Sequence, residues 1–274
     1  MKFTFLGTSA AEGFPAMFCT CDTCRRAAIA GGRNLRGRSQ ALVNEDLLID
    51  FPADTCMRVL TGKLDLPSVR HCLITHSHSD HLYAQDLSMR RDGYAVVPDS
   101  VPFTIYASED AGASIRKVIA ENELEQKGYV RYRQIRPFEP FQVLHYTVTP
   151  LKADHCPGTV LYLIADGDKK LLYAHDTGYF PEETWWYLEQ TKPQLSFVSL
   201  DCTFGPRQER INHMGLDADR EVANRLRKTG CVDGSTIIYV NHFTHFCGAT
   251  YDEIVPMAEK YGFGVSYDNC SICF

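Results

Sequence analysis

The sequence predicts a layered α/β fold on three observations. Short apolar runs that read as strands alternate with helix-like segments along the whole chain. Runs of the second half end in His, Asp or Asn, and in layered α/β architectures the loops at strand ends carry the site, so scattered ligands can converge there. With 274 residues, 45% of them apolar, the chain can bury about three quarters of its unfolded surface, enough for one sizeable core. No repeat and no long linker rich in Pro, Gly or Ser interrupts it, so residues 1–274 are expected to form a single domain.

Residues 3–6 read as a first strand, broken at Gly7 by a small-residue loop that lets backbone approach a site closely. Cys19, Cys21 and Cys24 follow, then a helix-like stretch over 25–30 stopped by Gly31-Gly32. Runs 41–43 and 47–49 form a hairpin-like pair around Asn44-Glu45-Asp46, and a helix is expected over 53–60. After the strand 72–74, a helix is predicted over 82–91 and a strand over 103–106. Ser108 is placed to cap a long helix over 109–127, ended by Gly128. Alternation over 142–148 reads as strand, as do the apolar runs 161–164, 170–174, 195–200 and 236–240. Helices are expected over 181–189 and 217–228, and after the capping box of Thr250 and Glu253, the last one stopping near Gly262.

The chemistry centres on Thr75-His76-Ser77-His78-Ser79-Asp80-His81, directly after the strand 72–74. Three imidazoles and a carboxylate within six residues are too dense for an ordinary surface loop. An extended segment sends alternate residues to one side, so His76 and His78 can reach one metal while Asp80 and His81, past the bend, serve a second. The pattern is that of a dinuclear metallohydrolase. Cys19, Cys21 and Cys24 can wrap one tetrahedral Zn²⁺ and leave one position for a ligand from elsewhere. Asp50, a carboxylate at the end of a buried run, has two readings: it braces a metal-bound His, or it caps the helix that follows.

Charge and composition narrow the field. The 28 basic and 34 acidic residues leave a net charge of −6, so no global field holds a polyanion and nucleic acid is not the expected partner. No apolar run approaches the roughly 20 residues a membrane span needs, and residues 1–6 lack the length of a secretory signal. A cytoplasmic protein is expected. Eleven cysteines in that reducing setting argue for metal binding and free thiols, the last of them at Cys270 and Cys273.

The Thr-His-x-His-x-Asp-His signature resembles that of the metallo-β-lactamase superfamily, which implies an αββα sandwich of two mixed sheets flanked by helices. Across the whole chain, the cysteine triad, His76 to His81, His155, Asp176-Thr177, Asp201-Cys202, Asn212-His213 and His242-x-x-His245 resemble the PhnP-type phosphodiesterases of carbon-phosphorus lyase pathways. Seven of the ten His fall inside these matches. The resemblance implies that His76, His78 and His155 bind one catalytic metal, that Asp80, His81 and His242 bind the other, and that Asp176 bridges them. It implies His245 as the fourth ligand of the Cys19, Cys21 and Cys24 zinc, His213 as general acid, and Asp50 and Asp201 as supports. His213 as a merely orienting residue is the competing reading. The expected cofactors are two Mn²⁺ or Zn²⁺ and one structural Zn²⁺. His71, His145 and His175 match nothing and read as core or surface residues.

The function implied is hydrolysis of a small cyclic phosphodiester such as 5-phosphoribosyl 1,2-cyclic phosphate, by a homodimer engaged in phosphonate metabolism. Arg207 and Arg210 are candidates to hold a terminal phosphate, although Arg in a loop is more often merely solvated. A tRNA 3′-processing nuclease of the same superfamily is the nearest rival, a thioesterase or lactonase a more distant one. A metal-binding redox protein is the non-enzyme alternative.

Overall fold

The structure is a computed structural model that describes residues 1–97 and 101–274. In chain order its first half holds β1 (Lys2–Gly7), α1 (Asp22–Ala30), β2 (Gln40–Val43), β3 (Leu47–Ile49), α2 (Thr55–Leu60), β4 (His71–Leu73), β5 (Phe103–Ala107), α3 (Glu109–Glu121) and β6 (Val130–Gln134). The second half holds β7 (Phe141–Val143), β8 (Tyr146–Lys152), β9 (Val160–Asp166), β10 (Lys169–Ala174), α4 (Glu182–Thr191), β11 (Phe197–Asp201), α5 (Leu216–Thr229), β12 (Ile237–Asn241), α6 (Tyr251–Ala258) and β13 (Gly264–Val265). A last strand, β14 (Cys270–Cys273), returns to pair antiparallel with β1.

Two seven-stranded sheets result, in the orders β14-β1-β2-β3-β4-β5-β6 and β13-β12-β11-β10-β9-β8-β7. Each is mixed: β1 to β3 and β7 to β10 run antiparallel, whereas β3 to β6 and β10 to β13 run parallel. Parallel neighbours need crossovers, and most of these are made by helices. A parallel strand covered on both faces reads as a continuous apolar run, which is why all three residues of Leu47-Leu48-Ile49 are buried.

Between the sheets, Phe3, Phe5, Ile49 and Leu73 face Val148, Tyr162, Tyr173 and Phe197. Outside the first sheet, Ile115, Val118 and Ile119 of α3 pack with Cys72, Ile74 and Ile105. Outside the second, Trp185 and Leu188 of α4, Val222 and Leu226 of α5 and Ile254 of α6 pack with Leu172, Val198 and Val240. The order of layers is α, β, β, α, the sandwich that the His motif implies.

Some elements differ from expectation. The helix over 82–91 is a single 3-10 segment, Ala84–Met89, because Phe51 N donates to His81 O and Tyr83 N to Phe51 O, both at 2.7 Å, holding residues 81–83 extended. The long helix ends at Glu121, and residues up to Gly128 fold as turns that seat Leu124 in the core. Ser108 occupies the N-cap position, yet its Oγ caps nothing; Tyr132 instead donates to its carbonyl at 3.1 Å. The capping box at Thr250 is present, Glu253 Oε2 accepting from Thr250 N at 2.8 Å. All eleven cysteines are free thiols. Among the described residues no helix is long and apolar enough to cross a membrane.

Candidate metal centre

One end of the sandwich collects the predicted ligands. β3 runs into Asp50, β4 into the 75–81 loop, β8 into the turn with His155, β10 into Asp176, β11 ends at Asp201 and β12 runs into His242. The two sheets are joined there: Val160 N donates to Thr75 O at 3.0 Å and Tyr162 Oη to Ile74 O at 2.6 Å. Asp50, Asp176 and His242 all have left-handed backbone, with φ of 68°, 51° and 67°, so the chain turns sharply as each leaves its strand. Asp and His are among the non-glycine residues that tolerate this region best.

The side chains form two adjoining clusters. In one, Nε2 of His155 lies 3.2 Å from Nδ1 of His78, and His76 completes the group. In the other, Nε2 of His81 lies 3.3 Å from Nε2 of His242 and 3.3 Å from Asp80 Oδ2. Asp176 stands between them. Its Oδ1 is 4.0 Å from His76 Nε2 and 3.8 Å from His155 Nε2, and its Oδ2 is 2.9 Å from His81 Nε2 and 3.1 Å from His242 Nε2.

Hydrogen bonds behind the rings decide which nitrogen faces inward. His81 Nδ1 donates to Asp50 Oδ2 at 2.6 Å, and Asp50 Oδ1 accepts from Thr75 N and Thr75 Oγ1 at 2.8 and 2.9 Å. With the Thr75 hydroxyl proton on Asp50, His76 Nδ1 donates to Thr75 Oγ1 at 3.0 Å. His155 Nδ1 donates to Asn212 O at 3.2 Å, and His242 Nδ1 lies 2.8 Å from Thr203 Oγ1. A ring that donates through Nδ1 keeps a lone pair at Nε2, the tautomer a metal requires.

This arrangement fits divalent cations. Unprotonated nitrogens 3.2 to 3.3 Å apart repel one another unless a cation lies between them. Among the described residues His76 Nε2 and Asp176 Oδ2 are buried without a hydrogen-bond partner, which ordinary folding avoids. Burial alone would raise the Asp176 carboxyl, but His242 and His81, which carry protons when no cation is bound, hold it well below the usual carboxylate range, a place for positive charge that a divalent cation would fill instead. Burial likewise drives His76 toward its neutral, ligating form.

His213 stands beside the clusters, its ring centroid 4.8 Å from that of His155. Its Nδ1 donates to Asp201 Oδ2 at 3.0 Å, which leaves Nε2 for a bound molecule. Burial pulls its pKa down, but the Asp201 carboxylate outweighs this and raises it to about 9. Asp201 is itself fixed by Asp176 N, Thr203 N and Met214 N, donated at 2.9, 3.0 and 3.0 Å. A cavity of about 230 Å³ opens over this face, lined by Asp80, His155, Asp176, His213 and His242 and rimmed by Phe204 and Phe246. Arg207 and Arg210 do not line it. Arg210 lies over the Tyr179 ring at 4.1 Å and pairs with Glu221.

A separate cluster joins Cys19, Cys21, Cys24 and His245 within 4.8 Å of one another. His245 Nδ1 is 3.5 Å from both Cys19 Sγ and Cys21 Sγ, and Cys24 Sγ accepts from Ala16 N at 3.4 Å. The Cys24 backbone N–H at Cys21 Sγ holds that thiol down to about 6, whereas burial pushes Cys24 up to about 12. Thiolate-rich sites of this composition suit Zn²⁺.

Sequence reasoning gave no role to Thr75 and Thr203, whose hydroxyls orient four rings between them. Their only signal was a position at a strand end, Thr75 just before His76 and Thr203 two residues after Asp201. His175 is buried among Ser199, Asn241 and Tyr173, and its pKa is lowered to about 3 by that burial. His71 sits beside Tyr106 and His145 beside Asp166 at the surface, both away from the clusters.

A fold of two sheets bearing a His and Asp cluster at their shared end defines a hydrolase of the metallo-β-lactamase class. The β-lactamase superfamily domain model matches residues 48–234, more than half of the chain, and the chain belongs to that superfamily. Among solved structures, a diphosphatase of the PhnP family superposes with a TM-score of 0.70 at 18% identity, covering 100% of this chain and 97% of that one. Zn²⁺-bound PqqB from Methylobacterium extorquens gives 0.70 at 18% identity, covering 100% of both chains. The short form of human tRNase Z gives 0.66 at 15%, covering 100% of this chain and 99% of that one. An octanoyltransferase of Porphyromonas gingivalis is 27% identical over 167 residues, 57% of this chain. The match spans only 31% of the length of that relative.

Proposed function

We propose that this chain is a dinuclear metal-dependent phosphodiesterase that opens a small cyclic phosphodiester, 5-phosphoribosyl 1,2-cyclic phosphate being the compound to test first. The observation that carries this reading is His213, held by Asp201 with Nε2 free beside two clusters of ligands that share Asp176. His76, His78 and His155 would hold one ion, Asp80, His81 and His242 the other, and Asp176 both. Two divalent ions there would acidify a water molecule and neutralise charge on the phosphoryl oxygens.

The protein's own part is orientation and proton supply. Attack of water on phosphorus breaks the bond to an alkoxide oxygen, and that oxygen needs a proton. With its pKa at about 9, His213 is protonated at neutral pH and donates from Nε2 while Asp201 keeps hold of Nδ1. Such a donor contributes about 10²- to 10⁴-fold. A cavity of about 230 Å³ suits a small ester better than a folded RNA, and the net charge of −6 favours the same choice. The fold shared with a diphosphatase of the PhnP family supports chemistry at phosphorus.

The test is turnover by Mn²⁺- and Zn²⁺-loaded protein on ribosyl 1,2-cyclic phosphate, 2′,3′-cyclic nucleotides and a precursor tRNA, with His213→Ala and Asp80→Ala as controls. Opening of the cyclic esters that both variants lose supports the proposal. Cleavage of tRNA alone moves the protein to the nuclease branch.

A further inference from the structure

Cys156 follows His155 directly, and neither the sequence motifs nor the proposed mechanism gives it a task. We propose that Cys156 is a ligand of the ion held by His76, His78 and His155 and makes that position selective for thiophilic metals. The proposal rests on the metallohydrolase reading above.

Three observations carry it. Ligand atoms of His76, His78, His155 and Cys156 all lie within 4.8 Å of one another. That is close to the reach of one ion with bonds to nitrogen and sulfur of about 2.0 to 2.3 Å. His76 Nε2, on a residue only 1% exposed, points into this group without a hydrogen-bond partner among the described residues. The turn that carries the sulfur is fixed: Thr159 N and Thr159 Oγ1 donate to Cys156 O at 3.2 and 2.8 Å, and Thr159 Oγ1 stands 3.2 Å from Sγ.

The setting differs from that of the core cysteines. Cys72, Cys202, Cys231 and Cys247 are buried, and burial raises their thiols, as expected of inert core residues. Cys156 is only partly buried and stands against imidazoles. Binding an ion would cost its thiol proton, released to solvent as the metal–sulfur bond forms.

The chemical consequence is an unequal pair of positions. Asp80, His81, Asp176 and His242 offer only nitrogen and oxygen, which suit Mn²⁺ and Zn²⁺ alike. A thiolate added to three imidazoles favours Zn²⁺, Co²⁺ or Cd²⁺ over Mn²⁺. The two positions are therefore expected to fill in order, zinc first at the Cys156 side.

The test uses whole protein carrying one zinc at the Cys19 cluster, titrated with Co²⁺ and read in the near-ultraviolet for thiolate-to-cobalt charge transfer. A Zn²⁺/Mn²⁺ competition read by elemental analysis runs beside it. Wild type, Cys156→Ser and His78→Ala are compared. Wild type should gain the sulfur band, and Cys156→Ser should lose it while still taking up cobalt. Loss of a direct ligand should weaken zinc at least as much as the roughly 10- to 100-fold that loss of an outer partner costs, with Mn²⁺ little changed. Alkylation of wild-type Cys156, mapped by mass spectrometry, needs no variant to fold: zinc should protect it and chelation expose it. Full cobalt uptake with no added sulfur band, zinc affinity equal in Cys156→Ser, or alkylation indifferent to zinc would overturn the assignment and leave the metallohydrolase standing. A wild type that binds nothing beyond the Cys19 cluster would overturn both.

Discussion

Replacing Asp50 by Asn changes little of the shape of a fully buried side chain, and it should disable a metal position without unfolding the protein. Asp50 is 0% exposed and accepts three hydrogen bonds, from His81 Nδ1 at 2.6 Å and from Thr75 N and Oγ1 at 2.8 and 2.9 Å. An Asn in that place has one acceptor oxygen. If the oxygen stays on Thr75, the NH₂ faces His81 Nδ1, which must then accept and carry its proton at Nε2. That is the atom 2.9 Å from Asp176 Oδ2 and 3.3 Å from His242 Nε2, and a protonated nitrogen cannot bind a metal. If the amide flips, its NH₂ meets the Thr75 N–H and that donor is lost. The first orientation is cheaper, since an unsatisfied buried donor costs about 1 to 3 kcal/mol. Metal affinity should therefore fall about 10- to 100-fold, or about 1.4 to 2.8 kcal/mol. Calorimetric titration of metal-free protein with Zn²⁺ reads the affinity, and nitrogen NMR of His81 reads the tautomer. Unchanged affinity with His81 still protonated at Nδ1 would refute the reasoning.

His213→Ala should lower cyclic phosphodiester turnover about 10²- to 10⁴-fold with metal content unchanged, read by steady-state kinetics beside elemental analysis. Because the folded pKa of His213 is raised to about 9, the stabilisation its pairing with Asp201 supplies is complete below the unfolded value of about 6.5 and is lost as pH rises through about 9. Turnover should fall over the same alkaline limb, and Asp201→Asn should move that limb to lower pH. Cys19→Ser should remove one zinc per chain and lower the melting temperature, since the cluster ties the 19–24 segment to His245; an unchanged zinc count would sink the structural site. Trp185→Ala, which removes the fully buried ring that α4 packs against the second sheet, should cost about 3 to 5 kcal/mol in urea unfolding. Trp185→Phe should cost clearly less, because the Nε1 it deletes has no partner among the described residues.

The layers were legible where apolar runs are short and sharply bounded, as at residues 47–49 and 72–74, and so was a set of candidate ligands, most of them at or just past the end of such a run. What governs their tautomers was not. Thr75 and Thr203 are residues of any loop until the fold puts one hydroxyl between two rings. The fate of 82–91 escaped for a related reason: its helical pattern is overruled by backbone bonds between residues 81–83 and Phe51, far upstream and invisible to local periodicity. Arg210 stood near His213 in sequence and was a fair phosphate candidate, yet Tyr179 and Glu221 claim its guanidinium. The strand at Cys270–Cys273 drew notice only for its thiols, because four residues that cover a sheet edge show too little alternation to declare themselves.

The left-handed backbone at Asp50, Asp176 and His242 sets a trade at the level of sequence choice. Such a conformation costs a non-glycine residue on the order of 1 to 3 kcal/mol, and glycine escapes that cost. A screen for thermal stability in metal-free protein would thus tend to select glycine in and behind the candidate metal centre, producing sturdier molecules with a poorer set of ligands. Only a screen run with metal present, where binding energy offsets the backbone cost, would keep Asp and His there.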